Sequence, residues 1–229
     1  MSAIVTEGAR RAALEGAERR ALALLDAIEA ANLIAPGRSE REVTEDVYAL
    51  ALERFGVERH WHKRIVRTGA NTVTTAFENP PLRTIESNDT VYVDLGPVFE
   101  EWEADVGRTY AIGADVDKQR LVADLERTFT HVQRHYRENP TITGAELYAH
   151  AQAAAADAGW TFGGSIAGHV IGEFPHSKMS GDRSQMVIAP SNARPLRSLD
   201  DLRRQKHWIL EIHLVDRDRT FGGFYERLL

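Results

Sequence analysis

The chain predicts an α+β fold of two similar α/β halves. Two observations carry this: helical patterns occur in two consecutive pairs, and each pair is followed by β-branched, strand-forming runs. The order helix, helix, strands is repeated without a clean sequence repeat, so the two halves share an architecture rather than a sequence. With 229 residues and 43% hydrophobic content the chain can bury one substantial core. We expect one domain over 1–229, with residues 1–57 forming N-terminal helices that lead into it.

Residues 5–33 are rich in Ala, Leu, Glu and Arg and stop before Ala35-Pro36-Gly37, which predicts the first helix and its breaker. Ser39-Glu40-Arg41-Glu42 has capping-box spacing and opens a second helix through Val47, Leu50, Ala51 and Phe55. Ile65 to Thr74 is β-branched and interrupted by Gly69, so it reads as strand, turn or bulge, and strand. Val91-Tyr92-Val93-Asp94 and the stretch from Asp105 to Tyr110 read as a strand and its return, so two aspartates face each other across a hairpin. Glu100, Glu101 and Glu103 between them look like an exposed, charged hairpin tip. A third helix is expected over 117–136, and Thr143-Gly144-Ala145-Glu146 caps a fourth that runs to Gly159. Residues 178–204, polar and containing Pro190 and Pro195, read as an extended surface loop with a short helical signal over Ser198–Leu202. Strands around His169, Glu211 and Glu226 complete the second half.

Where the acids fall is the chemical clue. Glu211 lies inside the apolar run Trp208-Ile209-Leu210-Glu211-Ile212, Glu226 follows Phe224-Tyr225, and Asp94 ends a Val-Tyr-Val run. An ionised carboxylate taken from water into an apolar strand costs several kcal/mol unless something pairs with it, and a cluster of them also repels. Raised pKa values or bound cations are the two remedies. Charge counting favours cations, because four carboxylates balance two divalent ions. Hard oxygen donors with one imidazole suit manganese, iron or cobalt, and zinc is also admissible. The candidate metal ligands are Asp94, Asp105, His169, Glu211 and Glu226.

The formal charge of −6 and the lack of a Lys/Arg-rich block argue against nucleic acid or an anionic membrane as the main partner. No apolar stretch approaches the length of a membrane span and the N-terminal residues lack a secretory pattern, so the cytoplasm is the expected location. Having no cysteine removes disulfides and thiolate chemistry.

The order Asp94, Asp105 eleven residues on, Gly168-His169-x-Ile171-Gly172, a Glu within a hydrophobic strand and a final Glu after an aromatic resembles the methionine aminopeptidase, prolidase and creatinase superfamily over essentially the whole chain. The resemblance implies the pita-bread fold, two pseudo-symmetric halves around a curved antiparallel sheet, at the length of the bare catalytic domain. It implies that Asp94 chelates one of two divalent ions, that Asp105 and Glu226 bridge both, and that His169 and Glu211 complete the other. Two such ions share a water, acidify it and polarise the carbonyl under attack. His176 matches a second family histidine, which contacts substrate and stabilises developing negative charge. The implied substrate is a peptide cleaved near its N-terminus or at Xaa-Pro; a creatinase-like C–N hydrolase of a small metabolite and a non-catalytic binding module are the alternatives. A homodimer is left open.

Two departures from the pattern stand out. The family's further histidine before the aspartate strand aligns with Ala76, and the usual Glu-Pro pair is replaced by Glu211-Ile212. His213, two residues from Glu211 and therefore on the same strand face, is a candidate pocket residue that replaces part of the missing group. The candidate catalytic residues are thus His169, His176, Glu211 and His213. His131 and His135, four apart on the third helix, lack the neighbouring Glu of a zinc protease helix and read as a solvated face. His60, Trp61 and His62 either edge the pocket or pack at the surface. Trp102, Phe162, Phe174 and Phe224 are core residues or an apolar substrate wall.

Overall fold

The computed structural model describes residues 6–76, 78–176 and 182–229. Four helices form where the capping signals place them. The hydroxyl of Thr6 accepts from Ala9 N–H at the start of α1 (Glu7–Ala30), and a full Ser39/Glu42 capping box opens α2 (Glu40–Phe55), which Gly56 ends in the left-handed region. Asp115 caps α3 (Val116–Glu138), and a Thr143/Glu146 capping box opens α4 (Gly144–Asp157).

One antiparallel sheet joins the two halves. Its strands are β1 (Ile65–Thr68), β2 (Thr90–Leu95), β5 (Val106–Ala111), β6 (Thr161–Phe162), β7 (Val170–Ile171), β8 (His207–Val215) and β9 (Gly222–Leu228). The order is β1-β2-β5-β9-β8-β6, and β7 pairs with the other end of β8. A small hairpin of β3 (Val98–Phe99) and β4 (Trp102–Glu103) lies between β2 and β5. Each half therefore supplies a helix pair and antiparallel strands, as expected for the pita-bread α+β class.

Alternation along the strands separates core from site. Val91, Val93 and Leu95 of β2 pack with α1 and α2 in one core cluster, while Leu210, Ile212 and Leu214 of β8 pack with α3 and α4 in another. The residues between them, Tyr92 and Asp94 on β2 and Glu211 and His213 on β8, point to the opposite face and line a cavity. Among the described residues no helix is long and apolar enough to cross a membrane.

Three local expectations are corrected. Of the Ile65–Thr74 run only β1 is a strand; Gly69–Val73 is a 3-10 helix. Buried Glu40 explains the difference, since it accepts from Thr68 N–H at 2.9 Å, from Asn71 Nδ2 at 2.9 Å and from Arg83 N–H at 3.1 Å, drawing the chain off the ladder. The 182–204 part of the expected surface loop carries a 3-10 helix (Arg183–Met186) and sinks Ile188 and Leu196 fully into the core; residues 178–181 lie outside the described residues. Over Ser198–Leu202 the chain turns instead of forming a helix, because the Asp200 carboxylate accepts from the N–H groups of Leu202 and Arg204.

Candidate metal centre

Three acids stand in one row across the sheet. Asp94 pairs with Gly107, Gly107 with Glu226, and Glu226 with Glu211, so the row crosses β2, β5, β9 and β8. Gly107 is the member without a side chain, and a Cβ there would come within 2.6 Å of the Phe224 ring and 3.2 Å of the Glu226 Cβ. Its absence keeps the centre of the row open. Asp105, two residues before Gly107, reaches the same space from the lead into β5.

His169 comes from the segment that hydrogen-bonds to β8: Ile209 N–H donates to His169 O at 2.8 Å and Glu211 N–H to Ala167 O at 3.0 Å. Gly168 makes this approach possible with φ 138°, and a Cβ there would lie 2.0 Å from Ile209 O. His169 Nε2 sits 3.0 Å from Asp105 Oδ2, 3.7 Å from Glu211 Oε1 and 3.9 Å from Glu226 Oε1. All five residues predicted as ligands thus meet at one cavity of about 700 Å³.

Two further residues join the site: His62, which the sequence places at the pocket edge or at the surface, and Glu103, which it places on an exposed tip. His62 Nε2 lies 3.2 Å from Asp105 Oδ1 and 3.5 Å from Asp94 Oδ1. Glu103, expected on an exposed tip with Glu100 and Glu101, is only 1% exposed, while those two are solvent-exposed. It accepts from His176 N–H at 2.9 Å and its other oxygen is 2.6 Å from His176 Nδ1, which directs the far side of that imidazole away from the acid. The signal for Glu103 was its spacing of two from Asp105, which puts both on one face of an extended segment. Trp61 packs edge-on against His62, His169 and His176, with ring centroids 4.4–5.1 Å apart.

His213 and Ala76 both line the cavity. His213 Nε2 is 2.8 Å from Thr72 O, and burial holds this imidazole below its ordinary pKa, in the neutral form. Phe224 lines the cavity and packs at a tilt against Tyr92, whereas Phe162 packs against the second core; Trp102 packs against the first. His131 and His135 lie away from the site, stacked on His150.

The electrostatics are those of clustered acids and imidazoles that share protons. Burial pushes Asp94 and Glu211 up to about 7, and burial with repulsion from Asp105 and Asp94 raises Glu226 well above the usual range. Burial opposes charge on His62 and His169, yet the neighbouring acids overcome it and lift them to about 10 and about 9. Asp105, between the two imidazoles, is held down at about 2 against its own burial. Glu226 Oε2 is buried without a hydrogen-bond partner among the described residues. An orphaned carboxylate oxygen inside a set of hard oxygen and imidazole donors fits divalent cations, and two three-residue donor groups, His62-Asp94-Asp105 and Asp105-His169-Glu226, share Asp105.

The chain is similar to known proteins in sequence and in fold. The family model of metallopeptidase family M24 matches residues 12–198. A Xaa-Pro dipeptidase of Lactobacillus delbrueckii subsp. lactis is 32% identical over 125 residues, which cover 54% of this chain and 33% of that protein; the Xaa-Pro dipeptidase of Lactobacillus helveticus is 30% identical over 115 residues, covering 50% and 30%. The matched segments thus span about a third of these relatives. Among solved structures, a prolidase from Thermococcus sibiricus superposes with a TM-score of 0.71 at 20% identity, covering 97% of this chain and 56% of that one. A methionine aminopeptidase from Rickettsia prowazekii gives 0.73 at 13% identity, covering 98% and 94%, so the fold is shared with both kinds of protein.

Proposed function

We propose that this chain, which belongs to metallopeptidase family M24, hydrolyses a peptide C–N bond at Xaa-Pro or near a substrate N-terminus with two divalent ions held by Asp94, Asp105, His169, Glu211 and Glu226. The observation that carries the reading is the convergence of three buried carboxylates and the partly buried Glu211, one of the buried ones with an unpartnered oxygen, on one cavity. The Xaa-Pro dipeptidase relatives favour that linkage over others. Manganese, iron(II) and cobalt suit the donors best, with zinc admissible.

When bound, the two ions supply Lewis acidity, acidifying water and polarising a scissile carbonyl. The chain's residues do the rest. Glu226, inside the row, and Asp105, which reaches the same space from the lead into β5, would be shared between the two positions, with Asp94 and Glu211 at the row's ends. His176, held through Nδ1 by Glu103, offers its remaining nitrogen to the carbonyl oxygen as charge develops there. Tyr92, Phe224 and Ile65 give the cavity apolar walls that exclude water from the polar centre. Neutral His213 and the small side chain of Ala76 both line the same cavity.

The combination of Ala76 and His213 favours a second reading, hydrolysis of a small amide by the same site, because the cavity wall carries a methyl group where peptidases of this superfamily place an imidazole. A hydrolysis screen separates the two. Protein stripped of metal and reloaded in turn with manganese, iron(II), cobalt and zinc is offered Xaa-Pro dipeptides, methionyl peptides and small amides. Turnover of Xaa-Pro bonds is expected; turnover of amides alone would establish the second reading, and metal-independent or absent turnover of every class would overturn both.

A further inference from the structure

We infer that His62 is a sixth metal ligand, giving the Asp94–Asp105 end of the site a nitrogen donor to match the one His169 gives the other end. The inference rests on the two-ion reading above and extends it. Three observations carry it.

The first is distance. His62 Nε2 is 3.2 Å from Asp105 Oδ1 and 3.5 Å from Asp94 Oδ1, and one donor atom from each of the three residues lies within 4.8 Å of the others. Metal–ligand bonds of about 2.0–2.2 Å set neighbouring donors about 3.0–3.5 Å apart around one tetrahedral or octahedral ion. Both distances from His62 already stand at that spacing.

The second is the orientation of the ring. His62 Nδ1 is 2.6 Å from the carbonyl of the next residue, Lys63, which can only accept, so Nδ1 keeps its proton and Nε2 is the nitrogen turned toward the acids, free to ligate once a cation displaces the proton held there. His169 repeats the device: its Nδ1 is 2.9 Å from the carbonyl of its own next residue, Val170, with Nε2 again toward the acids. Metal-binding histidines are held this way, the second nitrogen donating to a carbonyl that fixes the tautomer. Two histidines from distant parts of the chain present the same nitrogen to opposite ends of one acid cluster.

The third is the room made for the ring. A Cβ on Gly96 would lie 2.2 Å from His62 Cδ2 and 2.4 Å from His62 Nε2. Trp61 packs edge-on against the ring, borders the same gap with Nε1 at 2.4 Å from such a Cβ, and is itself anchored by donating Nε1–H to Ala104 O at 3.1 Å. A glycine gap and an anchored indole together seat the imidazole, and a surface role would need neither.

A nitrogen donor at this position softens an otherwise all-oxygen set, shifting preference there from manganese toward cobalt and zinc. The test is proton NMR of the wild-type protein loaded with two equivalents of cobalt(II). A paramagnetic ion moves the N–H of each coordinated imidazole far downfield, and that signal vanishes in D2O. Two such exchangeable resonances are expected, one each from His62 and His169; one or none in cobalt-loaded protein overturns the inference. Calorimetric cobalt titration of His62→Ala and His62→Gln, with folding checked by circular dichroism, should show one of the two ions bound at least 10-fold more weakly, with a changed visible spectrum. Two ions bound at wild-type affinity by folded His62→Ala would overturn the His62 assignment and leave the five-ligand site standing. Wild-type protein that binds no divalent ion would overturn both.

Discussion

Stripping the metal should leave the site held together by protons, and the exchange of one for the other can be counted. At pH 7 the metal-free cluster has His62 and His169 protonated, Asp105 ionised and Asp94 and Glu211 each near half-ionisation, with Glu226 shifted toward its neutral form. Two divalent ions need neutral imidazoles and ionised acids, so loading at pH 7 should expel at least about three protons: one from each histidine and about half from each of Asp94 and Glu211, with Glu226 adding to that count. The stability consequence has a definite sign. The folded-state pKa values of Asp94 and Glu211 are raised, so their contribution is complete below their ordinary values and is lost as pH rises through about 7. The two histidines are raised as well; their contribution is complete below about 6.5 and declines as pH rises from there through about 9. Over pH 5–8 the carboxyl and histidine losses therefore run in the same direction. A rise of about three pKa units amounts to at most about 4 kcal/mol, and because neighbouring acids share protons we assign that figure to the pair, on the order of 10 °C in Tm for a chain of this size. Calorimetric titration of manganese in two buffers of different ionisation enthalpy gives the proton count, and melting of stripped and loaded protein at each pH gives the gap. The gap should widen from pH 5 to pH 8. A constant gap together with fewer than about one proton released at pH 7 would refute this electrostatic account of the cluster.

Two substitutions test the supports of the site. Gly168→Ala forces a side chain at φ 138° to within 2.0 Å of Ile209 O, so we expect a loss of at least about 2 kcal/mol and weakened metal binding as His169 is displaced; full metal content with an unchanged Tm would show that the segment yields at no cost. Glu103→Ala leaves His176 without its carboxylate, and with metal content preserved kcat on Xaa-Pro substrates should fall about 100-fold, with partial recovery in Glu103→Gln; unaltered kcat in Glu103→Ala would remove the positioning role.

How much was legible in the sequence divides along one physical line. Asp94, Glu211 and Glu226 could be read because each sits in an apolar run where a carboxylate is costly, and that cost is a local property. Capping boxes at Ser39 and Thr143 are local as well, and both helices begin where those residues place them. His62 could not be read in this way. Its partner Asp105 is forty-three positions away, and what brings the two together is a gap at Gly96 and an anchored Trp61, neither visible as a pattern around His62. Residues 69–73 failed for the related reason that a distant acid, Glu40, offered their backbone and side chains better partners than a strand would. Glu103 differs from both, because alternation with Asp105 pointed inward while the run of acids pointed outward. Burial decided in favour of alternation: an extended segment that turns one acid into a site turns in the acid two residues away, whatever its neighbours at the tip. The same rule, applied across strands, explains why the centre exists at all. Antiparallel pairing sets Asp94, Gly107, Glu226 and Glu211 side by side, and a slip of one residue in any of those strands would send its acid into the helix-packed core, where neither proton nor cation could reach it.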